Sequence, residues 1–512
     1  MRVHPYGEQA LLVDVADFET VLGLHAALTE NPPAGVTDLV PGARTVLVCY
    51  EPWVTDASTL TRRIQATTPV TVEPPEGDLV TLPVVYDGED LAEVSRLTGL
   101  GIDELIAAHA EPEYVVRFGG FAPGFAYLTG LDPRLHVPRR PNPRPSVPPG
   151  AVAVADAYTG VYPQTGPGGW QLLGRTDVAL WDPHRRPQAL LRPGARVRFD
   201  RVTHLRTDVS TSHRSRRIVG TPVPGDSVIE VVEARGMSTV QDLGRHGMAK
   251  LGIGHAGAAD PRSARLANRL VGNPDGAACL EVTFGGLTLR FHRAARVAVT
   301  GAPCPISREG YGEAMNTPFA VAAGEQVVIG KPATGVRTYI SVRGGIGVPQ
   351  TLSSRSTDVR AGLGPTPLTA GDVLPIGTDQ LQHQPAYTTA PVADPPGSSL
   401  IVRITAGPRA EWFAPDALDV LQDATYVVSQ DSDRTAVRLR GPALRRSIHR
   451  ELPSEGMVPG AIQVPHSGQP QLLLADHPVT DGYPVLAVVT TEDLPVVAQA
   501  RPGQHVSFQV VN

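Results

Sequence analysis

Lysine is nearly missing from this chain of 512 residues, with Lys250 and Lys331 the only two. A lysine base or Schiff-base amine would have to be one of that pair, and arginine carries almost all other positive charge. Cysteine is scarce too: Cys49, Cys279 and Cys304 lie in apolar, strand-like stretches, none at metal or redox spacing. Packing roles in a reduced compartment fit them best. No uninterrupted apolar stretch is long enough to span a bilayer, and Met1 to Glu8 lack the basic start and apolar run of a signal peptide. The expected location is the cytoplasm, away from membranes. A basic excess is also missing, since the formal net charge of -6 gives no field for a phosphate backbone, which argues against nucleic acid as a partner.

Several catalytic signatures are absent. Gly324 to Pro332 approaches a phosphate-cradling loop, but its spacing is one residue too long and Pro332 replaces the hydroxyl that would hold magnesium. There is no Gly-x-Ser-x-Gly elbow, no Gly-rich serine platform of the amidase kind, and no His-Glu-x-x-His zinc pair. Neither lysine has the Met-Lys-Met setting of a biotin acceptor.

Glycine (52) and proline (50) are abundant, and such frequent punctuation favours short strands over long helices. The expected fold is mainly β with α+β portions, in three or four domains. Residues 1–76 read as a small α+β domain, with a strand at Ala10 to Val15, a helix capped by Asp17, a strand at Thr45 to Tyr50 and a helix at Ala57 to Ala66. Residues 77–205 form a β-rich unit, 206–226 a Ser/Thr/Arg-rich linker, and 227–392 and 393–512 two further β units. Asp90 to Thr98 and Ile102 to His109 have a helix-turn-helix outline, but Glu89, Asp90, Glu93, Asp103 and Glu104 would repel DNA, so a structural hairpin is expected. Asp260, Pro261 and Gly272-Asn273 punctuate another helix at its start and exit.

Internal repeats tie the halves together. Arg192-Pro-Gly-Ala-Arg-Val-Arg-Phe199 recurs as Arg501-Pro-Gly-Gln-His-Val-Ser-Phe508, and Val147-Pro-Pro-Gly-Ala-Val-Ala-Val154 as Met457-Val-Pro-Gly-Ala-Ile-Gln-Val464. In each, a glycine turn launches an alternating strand, so related barrels are expected in the two halves.

Three polar, Gly/Pro-rich loops are the candidate site. The first runs from Arg117 to Tyr127 and includes Phe121 and Phe125; Arg134, Arg139, Arg140 and Arg144 follow. Glycines admit a ligand to the backbone, aromatics wall it off, and arginines offer forked donors to carboxylate or phosphate. The second, Thr159 to Thr176, offers Tyr162, Gln164 and Trp170 as pocket walls. The third, Gly236 to Gly247, gathers Gln241, Asp242, Arg245 and His246, with a later partner in Ser353-Ser-Arg-Ser-Thr-Asp358 that holds Arg355 and Ser356. Each loop also has a structural reading: a barrel corner, a core plug of Trp170, or a turn held by its own side chains.

At these residues a family resemblance emerges. Phe121 to Leu128, Pro138-Arg-Arg140, Pro143-Arg144, Tyr162-Pro163, Pro167-Gly-Gly-Trp170 and Gly174-Arg-Thr176 resemble the family called allophanate hydrolase subunit 1, the B component of 5-oxoprolinase or the Kip kinase inhibitor. Gly236 to Gly247, Asp260, Ala267 to Asn273, Leu280-Glu281, Ser354 to Asp358, Ser454-Glu-Gly456, Gly460 to Pro465 and Gly468-Gln-Pro470 resemble its companion, allophanate hydrolase subunit 2 or the C component of 5-oxoprolinase. Both lie within a superfamily of biotin-dependent carboxyltransferases, fused here in one chain. The resemblance implies cyclophilin-like β-barrels in both halves, one at 77–205 and two more at 227–392 and 393–512, plus the small N-terminal α+β domain at 1–76. It implies a hydrolase component that opens 5-oxoproline to glutamate with ATP and magnesium, together with a separate A component of the LamB/YcsF type. Alternatives are carboxyl transfer to urea or a related amide from carboxybiotin supplied in trans, as in urea amidolyase, and non-enzymatic kinase regulation. Homo-oligomer formation stays open.

Either chemistry needs the amide pushed toward its imidate form, by donors at its oxygen and a base near its N–H. Gln241, Arg245 and Tyr127 are the expected donors and Asp242 the expected base. Arg117, Phe121, Phe125, Arg139, Arg140, Arg144, Tyr162, Gln164, Trp170, His246, Arg355, Ser356 and Gln463 are the expected substrate contacts, with no metal ligand. The chain departs from the C-component pattern at Thr480-Asp-Gly-Tyr-Pro484, where the family tends to have Thr-Gly-Gly-Tyr-Pro, and at Thr435-Ala-Val437, which replaces a Met-Gly-Tyr run.

Overall fold

A computed structural model describes residues 1–72, 79–140, 142–183, 185–205, 228–377 and 389–511. The expected linker at 206–226 and the Pro74-Pro75-Gly77 boundary lie outside these described residues. The N-terminal unit follows its sequence signals. Asp17 accepts the Thr20 N–H at 2.9 Å and Asp56 the Thr59 N–H at 2.9 Å, starting the helices Phe18–Glu30 and Ala57–Ala66. Each cap satisfies an orphan amide and is worth about 1 kcal/mol. The strands Arg2–Pro5, Ala10–Asp14, Val36–Pro41 and Thr45–Tyr50 form one antiparallel sheet. Side chains alternate across a strand. Leu11 and Val13 therefore face the two helices, while Ala10 and Leu12 face the other way and join a core with Met457, Ala461 and Val488. The first domain thus packs on the last one.

Two seven-stranded sheets share one strand order. In the first, Leu79–Val84 pairs parallel with Arg196–Arg201, which pairs antiparallel with Tyr114–Gly119. In the second, Ser399–Ala406 pairs parallel with His505–Val510, which pairs antiparallel with Tyr426–Val428. The repeated Arg-Pro-Gly motif thus lays down the strand that closes each sheet. The second sheet is a closed barrel, and the first comes near closure through Val85 and Arg175, whose backbones exchange hydrogen bonds of 3.0 and 2.9 Å. The other repeat opens Ala151–Ala155 and Ala461–Gln463, and Gly150 and Gly460 both take left-handed φ values, 81° and 82°. The helical pair Leu91–Thr98 and Ile102–Ala110, turned at Gly99, packs Val94, Leu105 and Ala108 into the first barrel's core, as a structural hairpin should.

The unit expected as a barrel over 227–392 is instead two sheets, six-stranded and five-stranded, sharing one core and meeting at an Ile346–Ile376 bridge. Alternating apolar strands can be satisfied by a facing sheet as well as by closure, so the pattern alone does not choose between them. Its helix Pro261–Val271 starts under Asp260, which accepts the Ser263 N–H, and ends at left-handed Gly272, as its punctuation predicts. Among the described residues no helix is long and apolar enough to cross a membrane.

Candidate functional site

The two barrels face each other through equivalent connections. In the first, a short ribbon pairs Arg144–Val147 with Gly166–Gly168; in the second, Glu455–Gly456 pairs with Thr480–Asp481 at the same topological place. Between them lies a cavity of about 250 Å3. Phe121, Tyr127, Arg139, Arg140, Tyr162 and Trp170 line it from the first barrel. Arg438, Arg446, Glu451, Ser454, Gln463, His466, Asp481 and Tyr483 line it from the second, and Arg360 enters from the sandwich.

Tyr127 and Ser454 join the halves across this space, Oη to Oγ at 2.7 Å. Burial pushes the Tyr127 hydroxyl above its ordinary pKa, which keeps it protonated and able to donate. Its ring stacks on Phe118 with centroids 4.3 Å apart. Arg139 also donates to Ser454 Oγ, at 3.3 Å, and lies 3.6 Å from Glu451. A Cβ on Gly482 would come within 2.8 Å of Arg139 Nη1, so glycine there leaves the guanidinium its place.

Five arginines line the cavity, and four of them have protein partners. Arg140 donates to Asp90, Arg438 pairs with Asp433, and Arg446 donates to the Val464 carbonyl while lying over the Tyr483 ring. Arg139 is held by Ser454 and Glu451, as above. Among the described residues the Arg360 side chain has neither a hydrogen bond nor an ion pair; burial lowers its pKa from the usual arginine value. Burial raises both facing carboxyls, Glu451 and Asp481; for Asp481 the Gly482 N–H, Arg360, Arg139 and Gln463 pull partly back. Behind the ribbon, Glu455 is bonded to Arg409 at 2.7 Å, and Arg409 also holds Asp14 of the N-terminal sheet at 2.6 Å. Burial pushes Glu455 up to about 7.

The third sequence loop lies apart from the cavity wall and has another task. Asp242 accepts from Gly244 N, Ser354 Oγ, Ser356 Oγ and Arg355 N at 2.8, 2.7, 2.5 and 2.6 Å. Gln241 donates to the Thr357 carbonyl at 3.0 Å, and Arg245 to those of Ser356 and Thr351 at 2.6 and 3.2 Å. Apart from the bond to Gly244, these bonds pin the segment 351–357, and Arg360 lies three residues beyond it. Gln164, from the second loop, donates to the Arg360 carbonyl at 2.6 Å and fixes the same segment from the other side.

Of the expected site residues, the structure brings Tyr127, Phe121, Arg139, Arg140, Tyr162, Trp170 and Gln463 to the cavity. Phe125 stands behind them, edge-on to Trp170 in the aromatic core. Arg117 reaches away to Thr129 and Glu19, and Arg144 to Asp90 and Glu89. His246 packs against His255, with ring centroids 4.2 Å apart. Arg355 and Ser356 belong to the pinned segment. Sequence reasoning misses Arg360, Arg446, Glu451 and His466 as site residues, and marks Asp481 only as a departure from a pattern. The repeat at 147–154 and 457–464 holds a usable signal, because it makes 162–170 and 474–484 equivalent and so pairs a recognised loop with an overlooked one.

Comparison with known proteins agrees with this division. The family model described as carboxyltransferase domain, subdomain A and B, matches residues 251–510, and that for subdomain C and D matches residues 1–191. The chain is 36% identical to the C component of 5-oxoprolinase from Escherichia coli (strain K12) over 284 residues, covering 55% of this chain and 90% of that protein. It is 48% identical to the B component of 5-oxoprolinase from Bacillus subtilis (strain 168) over 128 residues, 24% of this chain and 53% of that one. The crystal structure of TTHA0988 superposes with a TM-score of 0.85 at 35% identity, covering 98% of this chain and 99% of that one.

Proposed function

From the premise that this chain belongs to the carboxyltransferase-domain family, with subdomains C and D ahead of A and B, we propose that it is the fused B and C component of a 5-oxoprolinase whose cyclic amide binds between the barrels. The observation that carries this reading is the cavity itself. Both halves build it, and arginines and Tyr127 face into it, a set suited to a small carboxylate-bearing amide. Opening the ring to glutamate requires charge to develop on the amide oxygen. Tyr127, kept protonated, and Arg139 are donors placed to stabilise it. In this reading Asp242 acts as a positioning residue: with its carboxylate already holding the 351–357 segment, it sets where Arg360 stands.

The cavity does not fit a nucleotide as well. Its volume is below the roughly 300–1,000 Å3 of sites for drug-sized ligands. ATP with its magnesium is accordingly assigned to a partner protein of the LamB/YcsF type.

The test is release of glutamate and phosphate from 5-oxoproline and ATP, by this chain with and without such a partner. Coupled release that needs both proteins is the expected result. No release from a formed complex would favour a second reading, carboxyl transfer to urea or a related amide from carboxybiotin supplied in trans. The family's description as a carboxyltransferase domain is the observation behind that second reading.

A further inference from the structure

We infer that Arg360 and Asp481 form a two-ended recognition device, in which Arg360 takes the carboxylate of a small ligand and Asp481 accepts a hydrogen bond from its N–H. The inference rests on the cavity being the amide site proposed above and names the groups that select the amide. Every other arginine on the cavity wall already has a protein partner. Arg360 has none for its side chain among the described residues, although it is half-buried in the cavity wall. Asp481 is its counterpart: its Oδ1 accepts the Gly482 N–H at 2.7 Å, and no cation among the described residues forms an ion pair with it. Both residues line the cavity, and no ion pair joins them among the described residues. Charges drawn out of water and left unpaired are costly unless something else completes them. A ligand with an anionic end and an N–H end completes both.

A ring of this kind pairs a carboxylate with a secondary amide, and the experiment separates the two ends. Calorimetric titration of the full chain would compare 5-oxoproline, its lactone counterpart with oxygen in place of the N–H, and 2-pyrrolidinone without the carboxylate. The native chain is expected to prefer 5-oxoproline over the lactone by about tenfold to a hundredfold, as for a hydrogen bond to a charged group. Asp481→Ala should erase that preference, bringing the affinities for 5-oxoproline and the lactone together. Arg360→Ala should weaken 5-oxoproline and lactone alike and leave pyrrolidinone unaffected. Asp481→Asn keeps the side-chain size and one acceptor, so an intermediate preference is expected even where alanine fails to fold. An undiminished preference in both Asp481 variants would overturn the inference while leaving the substrate reading intact. Failure of the native chain to bind 5-oxoproline at all would overturn both.

Discussion

Asp242 and Asp481 both stand beside arginines, yet Asp242 accepts four hydrogen bonds from its own fold while Asp481 accepts one backbone N–H and faces a cavity. The residues around Asp242 look more like a catalytic constellation on paper. In the folded chain the Asp242 carboxylate is taken up in holding a loop, while Gln241 Oε1 and Arg245 Nη1 stay buried without a partner among the described residues, and the loop's reach, at Arg360, is what enters the cavity. Between these two carboxylates, the bonds each still has to make separate the structural role from the cavity-facing one better than the density of polar residues around them.

The largest effect that would break this comparison is on stability at Asp242. Asp242→Ala leaves four buried or half-buried donors without their acceptor and should cost about 3 kcal/mol or more in urea unfolding. A cost below about 1 kcal/mol would mean that the loop is held by something else. Arg360→Ala should do the opposite, with stability changed by less than about 0.5 kcal/mol and 5-oxoproline affinity down about tenfold, or ~1.4 kcal/mol. Tyr127→Phe sharpens the contrast at the junction of the halves. It keeps the stacked ring, loses the bond to Ser454, and should cost about 1 kcal/mol in denaturant unfolding.

The smallest effect concerns pH. Burial raises Glu455 from 4.5 to about 7, so the folded state binds its proton more tightly than the unfolded state does. The stability this protonation gives is present in full near and below pH 4.5, declines as pH rises, and is gone above about 7. Glu455→Gln should flatten the fall in thermal midpoint between about pH 5 and 8 by on the order of a degree or two. An unchanged slope would exclude Glu455 as its source.

Much of the architecture is readable because it rests on local chemistry. Asp17, Asp260, Gly272 and Gly99 act where caps and exits are expected, and the Arg-Pro-Gly repeat marks the closing strand of each barrel. What cannot be read depends on how separate units meet. Arg360 sits alone among small residues and has no local pattern, and its importance comes from the 351–357 segment and Gln164 placing it. Asp481 looks like a misfit in a glycine-rich turn, since nothing in its neighbours reveals that the turn faces Arg139 and Tyr127 of another barrel. The sandwich at 228–377 reads as a barrel because both satisfy the same apolar alternation.

The Tyr127–Ser454 contact has a consequence for the cell's economy of encounters. Relatives that correspond to each half are separate proteins, and an interface between separate chains disassembles as they are diluted. Here both walls travel on one polypeptide, so their meeting is intramolecular and independent of expression level. Neither half can be in excess over the other, and the cavity forms as readily in a single molecule as in a crowd.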